Sequence, residues 1–432
     1  MQVEYLHSSF RKKVLRNEVN MAEMIEIKDE EERLILVGVS VNEDDDTEES
    51  LDELEELAKT AGAVTVVKVI QKRDKIHPGT YVGKGKIDEI RNLIDMYDAT
   101  GVVCDDELSP AQIKNLEEEL RVKIVDRTVM ILDIFASRAV TKEGKIQVEL
   151  AQLKYRSSRL TGLGKSLSRL GGGIGTRGPG EKKLELDRRL IRDRIAQLNK
   201  ELQDVIKMRE TTRNLRKNNN IPVVAIVGYT NAGKSTLLNT LTNAGVLEED
   251  KLFATLDPTT RNLKLDSGQQ LLLTDTVGFI RKLPHHLIDA FRSTLEEAKY
   301  ADIILHVVDS SNPQADKQMH VVYETLRKLG VEDKPIITAF NKQDKIEEVG
   351  IIKDFRADEI VKISAKEGQG LDTLLEILEK ELQNMKVLIE KTFAYSEAGR
   401  IQSIRKYGQM LVEEYRQDGI YVKAYVQKSL NI

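Results

Sequence analysis

Apolar runs alternate with amphipathic segments along the first third of the chain, a pattern typical of a parallel α/β domain. Strands are predicted at 34–41, 64–70, 102–104 and 122–125, and helices at 50–58, 87–96 and 109–120. Ser50 and Glu53 form a predicted capping box at the start of the first of these helices, and Gly62 is expected to end it. We therefore predict an N-terminal α/β domain over residues 1–140.

The pattern changes to a heptad-like repeat after this domain, with apolar residues spaced by three and four. The repeat consists of Ile146, Leu150, Leu153, Leu160, Leu184, Ile191, Ile195, Leu198, Leu202 and Val205. A glycine-rich segment, 161–180, interrupts it. We predict an antiparallel helical hairpin over 141–220 with a loop at its tip. The same seam could pair between two chains, but pairing within one chain is the simpler interpretation.

Apolar strands separated by helical segments resume at residue 221. Strands are predicted at 223–227, 270–274, 303–308, 335–340 and 360–363, and a closing helix at 371–382. This order predicts a domain over 221–386 with a mostly parallel sheet and helices on both faces. A shorter strand–helix–strand pattern in 387–432 predicts a small α+β domain.

The first strand of the 221–386 domain leads into Gly-Tyr-Thr-Asn-Ala-Gly-Lys-Ser at 228–235, which fits the phosphate-binding loop G-x-x-x-x-G-K-[ST]. Gly228 and Gly233 let the backbone N–H groups point inward at phosphate oxygens. Lys234 is expected to reach the β- and γ-phosphates, and the Ser235 hydroxyl to bind Mg²⁺. Because strand, loop and helix occur in the required order, a chance glycine-rich turn is disfavoured.

A D-x-x-G element, Asp-Thr-Val-Gly at 275–278, follows another apolar strand. Asp275 is expected to hold Mg²⁺ through water, and the Gly278 N–H to contact the γ-phosphate. Ras-like enzymes place a water-orienting Gln directly after this glycine, but this chain has Phe279 there. We therefore expect slow intrinsic turnover, with the attacking water positioned by another group or by a bound partner.

The first switch is predicted at 253–258, upstream of the D-x-x-G element. Thr255 is the predicted second Mg²⁺ hydroxyl, and Thr259 and Thr260 are alternatives that the sequence leaves open. Asn231 could supply a ligand to a monovalent cation such as K⁺, as in some GTPases without the Gln. The alternative interpretation makes Asn231 a turn residue.

Base specificity is indicated by Asn341-Lys342-Gln343-Asp344, the N-K-x-D pattern. A carboxylate at Asp344 can accept from N1–H and the 2-amino group of guanine, whereas adenine would leave the charge unpaired. Lys342 would lie along the base plane. Ser-Ala-Lys at 364–366 fits the loop whose backbone N–H meets guanine O6. The motifs together predict an enzyme that binds GTP and GDP and hydrolyses GTP.

The candidate catalytic residues are Lys234, Thr255 and Gly278, and the candidate metal ligands are Ser235, Thr255 and, through water, Asp275. The full predicted nucleotide site comprises Gly228, Tyr229, Thr230, Asn231, Ala232, Gly233, Lys234, Ser235, Thr236, Phe253, Ala254, Thr255, Leu256, Asp257, Asp275, Thr276, Val277, Gly278, Asn341, Lys342, Gln343, Asp344, Ser364, Ala365 and Lys366.

Composition narrows the class of protein further. The net charge of −5 gives no overall nucleic-acid signature, but 151–180 contains six Lys or Arg and no Asp or Glu. Such a one-signed segment on a helical stalk favours contact with RNA, and a disordered linker is the alternative. The single cysteine, Cys104, fits a reducing cytosol. No transmembrane run is seen, so we expect a cytoplasmic protein, with peripheral membrane contact left open.

The glycine-rich stretch Gly-Gly-Gly-Ile-Gly-Thr-Arg-Gly-Pro-Gly-Glu at 171–181, N-terminal to the GTPase motifs, resembles the HflX family of ribosome-associated GTPases. The motifs at 253–257 and 275–278 and the residue Phe279 also match, and the resemblance covers nearly the full length. It implies the four-part architecture predicted above. It further implies binding to the large ribosomal subunit, with the hairpin loop reaching into ribosomal RNA.

Two functions are implied by this resemblance. The first is a GTPase switch, most simply a monomer, that splits or rescues stalled ribosomes under stress. The alternative is a maturation factor for the large subunit that uses the nucleotide as an occupancy signal. A GTPase of a tRNA-modifying or membrane complex is disfavoured, because the sequence has no catalytic Cys constellation and no amphipathic basic anchor.

Overall fold

A computed structural model of the chain describes residues 31–41, 46–167, 179–218, 221–242, 252–266, 268–284, 297–331, 333–346 and 353–427. The N-terminal unit comprises β1 (Arg33–Ser40), α1 (Thr47–Ala61), β2 (Val64–Lys72), α2 (Lys84–Tyr97), β3 (Gly101–Cys104), α3 (Pro110–Leu120), β4 (Lys123–Asp126) and α4 (Arg127–Arg138). Its four strands are parallel in the order β2-β1-β3-β4. This is the α/β arrangement that the alternating pattern predicted.

Helix α1 begins at Thr47, so Ser50 lies inside the helix and the predicted capping box is wrong. The Ser50 hydroxyl instead donates to Asp105 at 2.8 Å, and Glu53 accepts from Arg127 at 2.6 Å. Gly62 does end the helix, with a left-handed φ of 89° that favours glycine. The two predicted capping side chains thus serve buried contacts between elements.

The hairpin consists of α5 (Lys142–Leu167) and α6 (Pro179–Asn218). Glu149 pairs with Arg194 at 2.7 Å and Glu143 with Arg209 at 2.5 Å, so the two helices run antiparallel. Their seam comprises the buried residues Ile146, Leu150 and Leu198 with Leu153, Ile195 and Leu202 packed against them. The heptad-like residues therefore pair within one chain. The tip of the predicted loop, 168–178, lies outside the described residues.

The second half of α5 is fixed to the N-terminal unit through Asp126 at the end of β4. Both carboxylate oxygens of Asp126 accept from the Tyr155 hydroxyl at 2.9 Å, and one accepts from Arg159 at 2.6 Å. The Arg159 guanidinium also lies 3.9 Å from the centre of the Tyr155 ring. Arg159 is thus engaged within the protein, although it belongs to the basic segment that the sequence assigned to RNA.

The GTPase domain comprises β5 (Val223–Gly228), α7 (Lys234–Thr242), β6 (Thr259–Lys264), β7 (Gln270–Asp275), β8 (Ile303–Asp309), α8 (Ala315–Lys328), β9 (Ile336–Asn341), β10 (Glu359–Lys362) and α9 (Leu371–Asn384). The sheet order is β10-β9-β8-β5-β7-β6, and only β6 is antiparallel to its neighbour. The C-terminal ends of β5, β8 and β9 therefore meet at one edge, the usual ligand edge of such sheets.

The C-terminal unit comprises β11 (Lys386–Phe393), α10 (Ala398–Tyr407), β12 (Gln409–Arg416) and β13 (Gly419–Gln427). The strands form an antiparallel sheet in the order β11-β13-β12, and its core contains Phe393, Ile404 and Val422. The sequence pattern did not predict β12, whose pairing shifts between Met410 and Val412. Within the described part of the whole chain, no helix has the length and apolarity needed to cross a bilayer.

Candidate active site

The phosphate-binding loop lies between β5 and α7, and its two motif glycines are required by close contacts. A Cβ on Gly228 would lie 2.3 Å from the carbonyl oxygen of Val307 on the neighbouring strand. Gly233 has a φ of 93°, and a Cβ there would lie 2.2 Å from Asn341 Nδ2. No other residue fits these two positions, which hold the loop open around a set of backbone N–H groups.

Lys234 is buried at the start of α7, where its ammonium group donates to the carbonyl oxygen of Tyr229 at 2.7 Å. Burial lowers the pKa of Lys234 to about 8, and the Asp275 carboxylate acts in the opposite direction. An anionic phosphate group at this place would stabilise the charged ammonium. Lys234 is therefore suited to binding phosphate. Without a phosphate group, its charged form is only weakly stabilised.

Three hard oxygen ligands come together beside the lysine. The Ser235 hydroxyl donates to Asp275 at 2.7 Å and lies 2.8 Å from the Thr255 hydroxyl. Burial raises the pKa of Asp275, which Lys234 and the two hydroxyls counteract. The second carboxylate oxygen of Asp275 is buried and finds no hydrogen-bond partner within the described ranges. Such a set fits the oxygen-rich coordination that Mg²⁺ prefers.

The structure distinguishes between Thr255 and Thr260, two of the threonines that the sequence left open as metal ligands. Thr255 lies against Ser235, whereas the Thr260 hydroxyl lies 3.0 Å from that of Thr274 on the adjacent strand. Thr255 is therefore the better placed of these two candidates for a metal ligand.

The second switch, which comprises the D-x-x-G element at 275–278 and the residues that follow it to Lys282, is joined to the phosphate-binding loop through its backbone. Thr230 N–H donates to the Phe279 carbonyl at 2.8 Å, and Phe279 N–H donates to the Gly228 carbonyl at 3.1 Å. A Cβ on Gly278 would lie 2.8 Å from Thr230 Cα and 3.0 Å from Lys234 Nζ. Gly278 is therefore held directly beside the loop, where its motif role requires it to be.

The guanine motifs converge on Asn341, at the end of β9. Its amide nitrogen donates to the Ala232 carbonyl at 2.9 Å, and its amide oxygen accepts from the Ala365 N–H at 2.9 Å. Asn341 thereby ties the phosphate-binding loop to the Ser-Ala-Lys loop. The Asp344 carboxylate accepts from the Ser364 hydroxyl at 2.6 Å, and this hydrogen bond lowers the pKa of Asp344. A charged Asp344 is what guanine recognition needs.

The remaining polar residues of these motifs have other partners. Lys342 pairs with Asp309 at 2.7 Å, and the Gln343 amide lies 3.1 Å from the Ser310 hydroxyl. Lys366 is exposed and lies 3.8 Å from Glu367.

The phosphate pocket is lined by residues from all three phosphate-side motifs. They are Thr230, Asn231, Gly233, Lys234, Ser235, Thr236, Phe253, Ala254, Thr255, Thr276 and Gly278. Seven other residues predicted on the phosphate side of the site are not among them, namely Gly228, Tyr229, Ala232, Leu256, Asp257, Asp275 and Val277. Leu256 and Val277 are buried in a core shared with the N-terminal unit. Their side chains were predicted at the nucleotide and instead support the switches from behind.

This shared core connects the switches with α4 of the N-terminal unit. The Phe253 and Phe135 rings meet edge to face, with their centres 4.6 Å apart. Phe279, the residue in place of Gln, is only 2% exposed within the same core, which also contains Ile280 and Ile131. Phe279 is thus a packing residue, in agreement with the expectation that it cannot orient water.

Polar contacts surround this core. Tyr229 donates its hydroxyl proton to Glu53, and the same hydroxyl accepts from the Arg281 N–H at 2.9 Å. Lys282, in the next position, binds Asp105 and lies 2.8 Å from Asp106. The second switch is therefore attached to the N-terminal unit by opposite charges as well as by apolar packing.

The first switch contacts the start of the hairpin. The Asp257 carboxylate accepts from the N–H groups of Val140 and Thr141 at 3.0 and 2.8 Å and from the Thr141 hydroxyl at 2.5 Å. Thr141 caps helix α5 by accepting from the Gly144 N–H at 2.9 Å. A Cβ on Gly144 would lie 2.4 Å from Asp257, so glycine permits this approach. Asp257, predicted at the nucleotide, is therefore bound to the hairpin.

Sequence reasoning missed Glu53 and Thr141 as partners of the site. Each lies more than a hundred residues from the switch or loop it supports, and no local pattern marks such a pairing. One signal was available in the sequence, the apolar residues Phe253, Leu256 and Phe279 in the switches. Switches that are exposed to water would not carry such a cluster, so it indicates that another part of the protein covers them.

Three protein-family models match consecutive parts of the chain. Residues 48–136 match the family model described as GTP-binding GTPase N-terminal, and 138–216 match GTP-binding GTPase Middle Region. Residues 223–342 match the model described as 50S ribosome-binding GTPase.

Full-length relatives are similar as well. The GTPase HflX of Lacrimispora saccharolytica is 68% identical over 410 residues, which cover 95% of this chain and 97% of that protein. The GTPase HflX of Escherichia coli is 42% identical over 362 residues, covering 83% and 85% of the two chains. A crystal structure of a GTP-binding protein from Sulfolobus solfataricus in complex with GDP is 27% identical, with a TM-score of 0.43, over 81% of this chain and 98% of that one. From the identity and coverage of the HflX relatives, the chain belongs to the HflX family of ribosome-associated GTPases.

Proposed function

We propose that this GTPase is a nucleotide-controlled switch of the large ribosomal subunit. In the GTP state the GTPase domain and the hairpin dock on the subunit, with the hairpin loop against ribosomal RNA. Hydrolysis then releases the switches and the protein. The process served is the splitting or rescue of stalled ribosomes under stress, carried out by a monomer in the cytoplasm.

The observation that carries this proposal is the contact between Asp257 and the start of the hairpin. Asp257 follows Thr255 by two residues, and Thr255 lies against Ser235 in the phosphate pocket. The Asp257 carboxylate accepts hydrogen bonds from the N–H groups of Val140 and Thr141, which precede helix α5. A first switch that moves with the γ-phosphate would therefore pull on, or release, the base of the hairpin.

The hairpin is suited to transmit such a movement. Asp126 fixes the second half of α5 to the N-terminal unit through Tyr155 and Arg159. Arg209 near the end of α6 pairs with Glu143 in the first turn of α5 and lies 3.8 Å from Glu297 of the GTPase domain. A small displacement at these contacts becomes a larger one at the tip of a long helical pair.

The basic segment supports an RNA partner for this tip. It carries six cations and no carboxylate over 151–180, and Arg159 accounts for one of these cations inside the protein. Cations of this kind suit phosphate groups, and glycines allow the backbone to approach RNA closely. A partner without phosphate groups would leave this charge without a complement.

Mg²⁺ and a monovalent cation complete the proposed site. Ser235 and Thr255 would hold Mg²⁺ directly, and Asp275 would do so through water. The metal supplies neutralisation of the charge on the phosphates. Asn231, which lines the pocket with a left-handed φ of 60°, would offer its amide oxygen to K⁺. Equal turnover in potassium and sodium buffers would contradict the role of K⁺.

The experiment that tests the function measures GTP turnover with and without purified large subunits. Wild type is compared with a chain in which a short neutral linker replaces 161–180. We expect a large stimulation that the linker variant loses, while its GDP affinity stays unchanged. Absence of stimulation in wild type would contradict the proposal. Association chiefly with precursor particles, in a variant that cannot hydrolyse GTP yet still functions, would favour the maturation factor.

A further inference from the structure

Thr230 carries a buried hydroxyl in the phosphate-binding loop that the known site residues do not explain. Its side chain is 6% exposed and lines the phosphate pocket. Among the residues that the structure describes, its Oγ1 has no hydrogen-bond partner. Buried hydroxyls in folded proteins nearly always have a partner, because burying them unpaired costs free energy. Valine has almost the same shape and would not carry that cost. We therefore expect the substrate to provide the hydrogen-bond partner of the Thr230 hydroxyl.

The position of Thr230 identifies which part of the substrate it meets. Its N–H donates to the Phe279 carbonyl at 2.8 Å, which fixes its backbone against the second switch. A Cβ on Gly278 would lie 2.8 Å from both Thr230 Cα and Cγ2, and 3.0 Å from Lys234 Nζ. Gly278 and Lys234 are the motif residues that meet the γ-phosphate. Thr230 therefore borders the γ-phosphoryl end of the pocket.

Three other hydroxyls that line the pocket already have partners. Those of Ser235 and Thr255 lie within hydrogen-bond distance of each other, and Ser235 donates to Asp275. The Thr276 hydroxyl donates to the Ile226 carbonyl at 2.8 Å. Among these four pocket hydroxyls, only that of Thr230 keeps both its donor and its acceptor capacity for a ligand.

The position that orients water in Ras-like enzymes cannot do so in this protein. Phe279 has no polar group, and its ring is 2% exposed in the core shared with the N-terminal unit. A polar group from another part of the pocket must therefore act on the attacking water, or hydrolysis depends entirely on a partner. A side chain on the phosphate-binding loop itself needs no movement of a switch to reach the γ-phosphate.

We propose that Thr230 is a catalytic residue of GTP hydrolysis. Its hydroxyl donates a hydrogen bond to a γ-phosphoryl oxygen and accepts one from the attacking water, as one donor and two lone pairs allow. The water oxygen forms a bond to the γ-phosphorus, and the bond from phosphorus to the β–γ bridging oxygen breaks. The water proton ends on inorganic phosphate, GDP leaves, and Thr230 is unchanged.

The test compares Thr230→Val, which removes only the hydroxyl, with Thr230→Ser, which keeps it. Thr65→Val is the matched control, because Thr65 also carries a buried hydroxyl without a partner in the described part of the chain, on β2 of the N-terminal unit. Single-turnover GTP hydrolysis is measured without ribosomes, together with affinities for GDP and for a non-hydrolysable GTP analogue. The absence of ribosomes keeps this test independent of the proposed partner.

We expect Thr230→Val to slow single-turnover hydrolysis on the order of 100- to 1,000-fold, the range for losing one hydrogen-bond donor to a developing negative charge. GDP affinity should change by less than about twofold, because GDP lacks the γ-phosphate. Thr230→Ser should retain most of the rate, and Thr65→Val all of it. Hydrolysis at the wild-type rate in Thr230→Val would overturn the proposal. So would an equal loss of GDP and GTP-analogue binding, which would make the role of Thr230 structural.

Discussion

Tyr229 of the phosphate-binding loop donates its hydroxyl proton to the carboxylate of Glu53 in helix α1. The same hydroxyl accepts from the Arg281 N–H at 2.9 Å, so one side chain joins the loop, the second switch and the N-terminal unit. Burial and the Glu53 carboxylate raise the pKa of Tyr229 well above its usual value, which keeps the proton available for donation. The N-terminal unit therefore supports the phosphate-binding loop and the second switch from outside the pocket.

Tyr229→Phe should destabilise the contact between these domains. The change leaves the Arg281 N–H and one oxygen of Glu53 without their buried partner, at a cost of about 1–3 kcal/mol. Urea unfolding followed by domain-specific probes measures the loss. Tyr97→Phe, at an exposed tyrosine on α2, is the control and should have no effect. Identical unfolding curves for both variants would show that the hydrogen bonds contribute nothing.

Asp257→Ala should loosen the start of helix α5. The variant removes the acceptor for two backbone N–H groups and for the Thr141 hydroxyl, a loss comparable to that of a helix cap, about 0.5–2 kcal/mol. Hydrogen exchange should accelerate at Val140 and Thr141 and stay unchanged in β1. Asp266→Asn, at an exposed carboxylate between β6 and β7, serves as the control. Unaltered exchange at Thr141 in Asp257→Ala would refute the coupling of the first switch to the hairpin.

Nucleotide affinity should fall as the pH rises through about 8. Burial lowers the pKa of Lys234 to about 8 in the nucleotide-free protein, below the usual lysine value of 10.5. Because the pKa of Lys234 is lowered in the folded protein, the free protein gains stability as the pH rises and the proton leaves. The complex with phosphate needs the charged ammonium, so the affinity for the nucleotide falls over the same pH range. Calorimetry in buffers of different ionisation enthalpy should detect proton uptake on GDP binding above about pH 8.

A matched measurement separates Lys234 from other titrations. Lys234→Met should bind GDP more weakly, and its affinity should lose the dependence on pH that wild type has around pH 8. Proton uptake of the same size in Lys234→Met would assign the titration to another group.

The ionised Asp354 carboxylate should stabilise the folded protein at pH values above the pKa that this group has in the unfolded chain. This contribution should be lost in acid. Burial alone would raise the pKa of Asp354, but His306 and the hydroxyls of Tyr323 and Thr338, at 2.6 and 2.7 Å, hold it well below its usual range. The stabilisation is therefore complete above about pH 4 and disappears as the pH falls through the folded-state value.

The corresponding variant is Asp354→Asn. It keeps the shape of the side chain but replaces an acceptor oxygen with an NH₂ group, so we expect a loss of about 1–3 kcal/mol at neutral pH. The difference from wild type should shrink in acid, as followed by thermal unfolding across pH. Asp95→Asn, an exposed carboxylate on α2, is the control. A difference that grows in acid would have the wrong sign for this mechanism.

The GTPase fold and the pocket were predictable because their signals are local. Gly228, Lys234 and Asp275 stand at fixed offsets from the strands that position them, so strand ends and motif residues can be read together. Phe279 shows the limit of such reading. The sequence predicted what its side chain cannot do, but the place of its ring depends on α4, a helix whose run of apolar residues has no clear helical or strand period.

Three physical reasons explain the features that the sequence did not predict correctly. Ser50 and Glu53 have the spacing of a capping box, yet buried partners, Asp105 and Arg127, bind them more strongly than the helix terminus would. Strand β12 was missed because its bulge between Met410 and Val412 breaks the alternation on which strand prediction depends. Asp257 lies 116 residues from its partner Thr141, and no periodicity reports contacts at that range.

The core shared by Phe135 and Phe279 also has a consequence for how the protein is made. The apolar surface of α4 leaves the ribosome long before the switch residues that cover it. The 144 residues between Phe135 and Phe279 take about 7 to 29 seconds at elongation rates of about 5–20 residues per second. During that time the apolar patch on α4 lacks the switch residues that cover it in the folded protein. Arrest of translation between these two phenylalanines would leave that patch uncovered on every nascent chain.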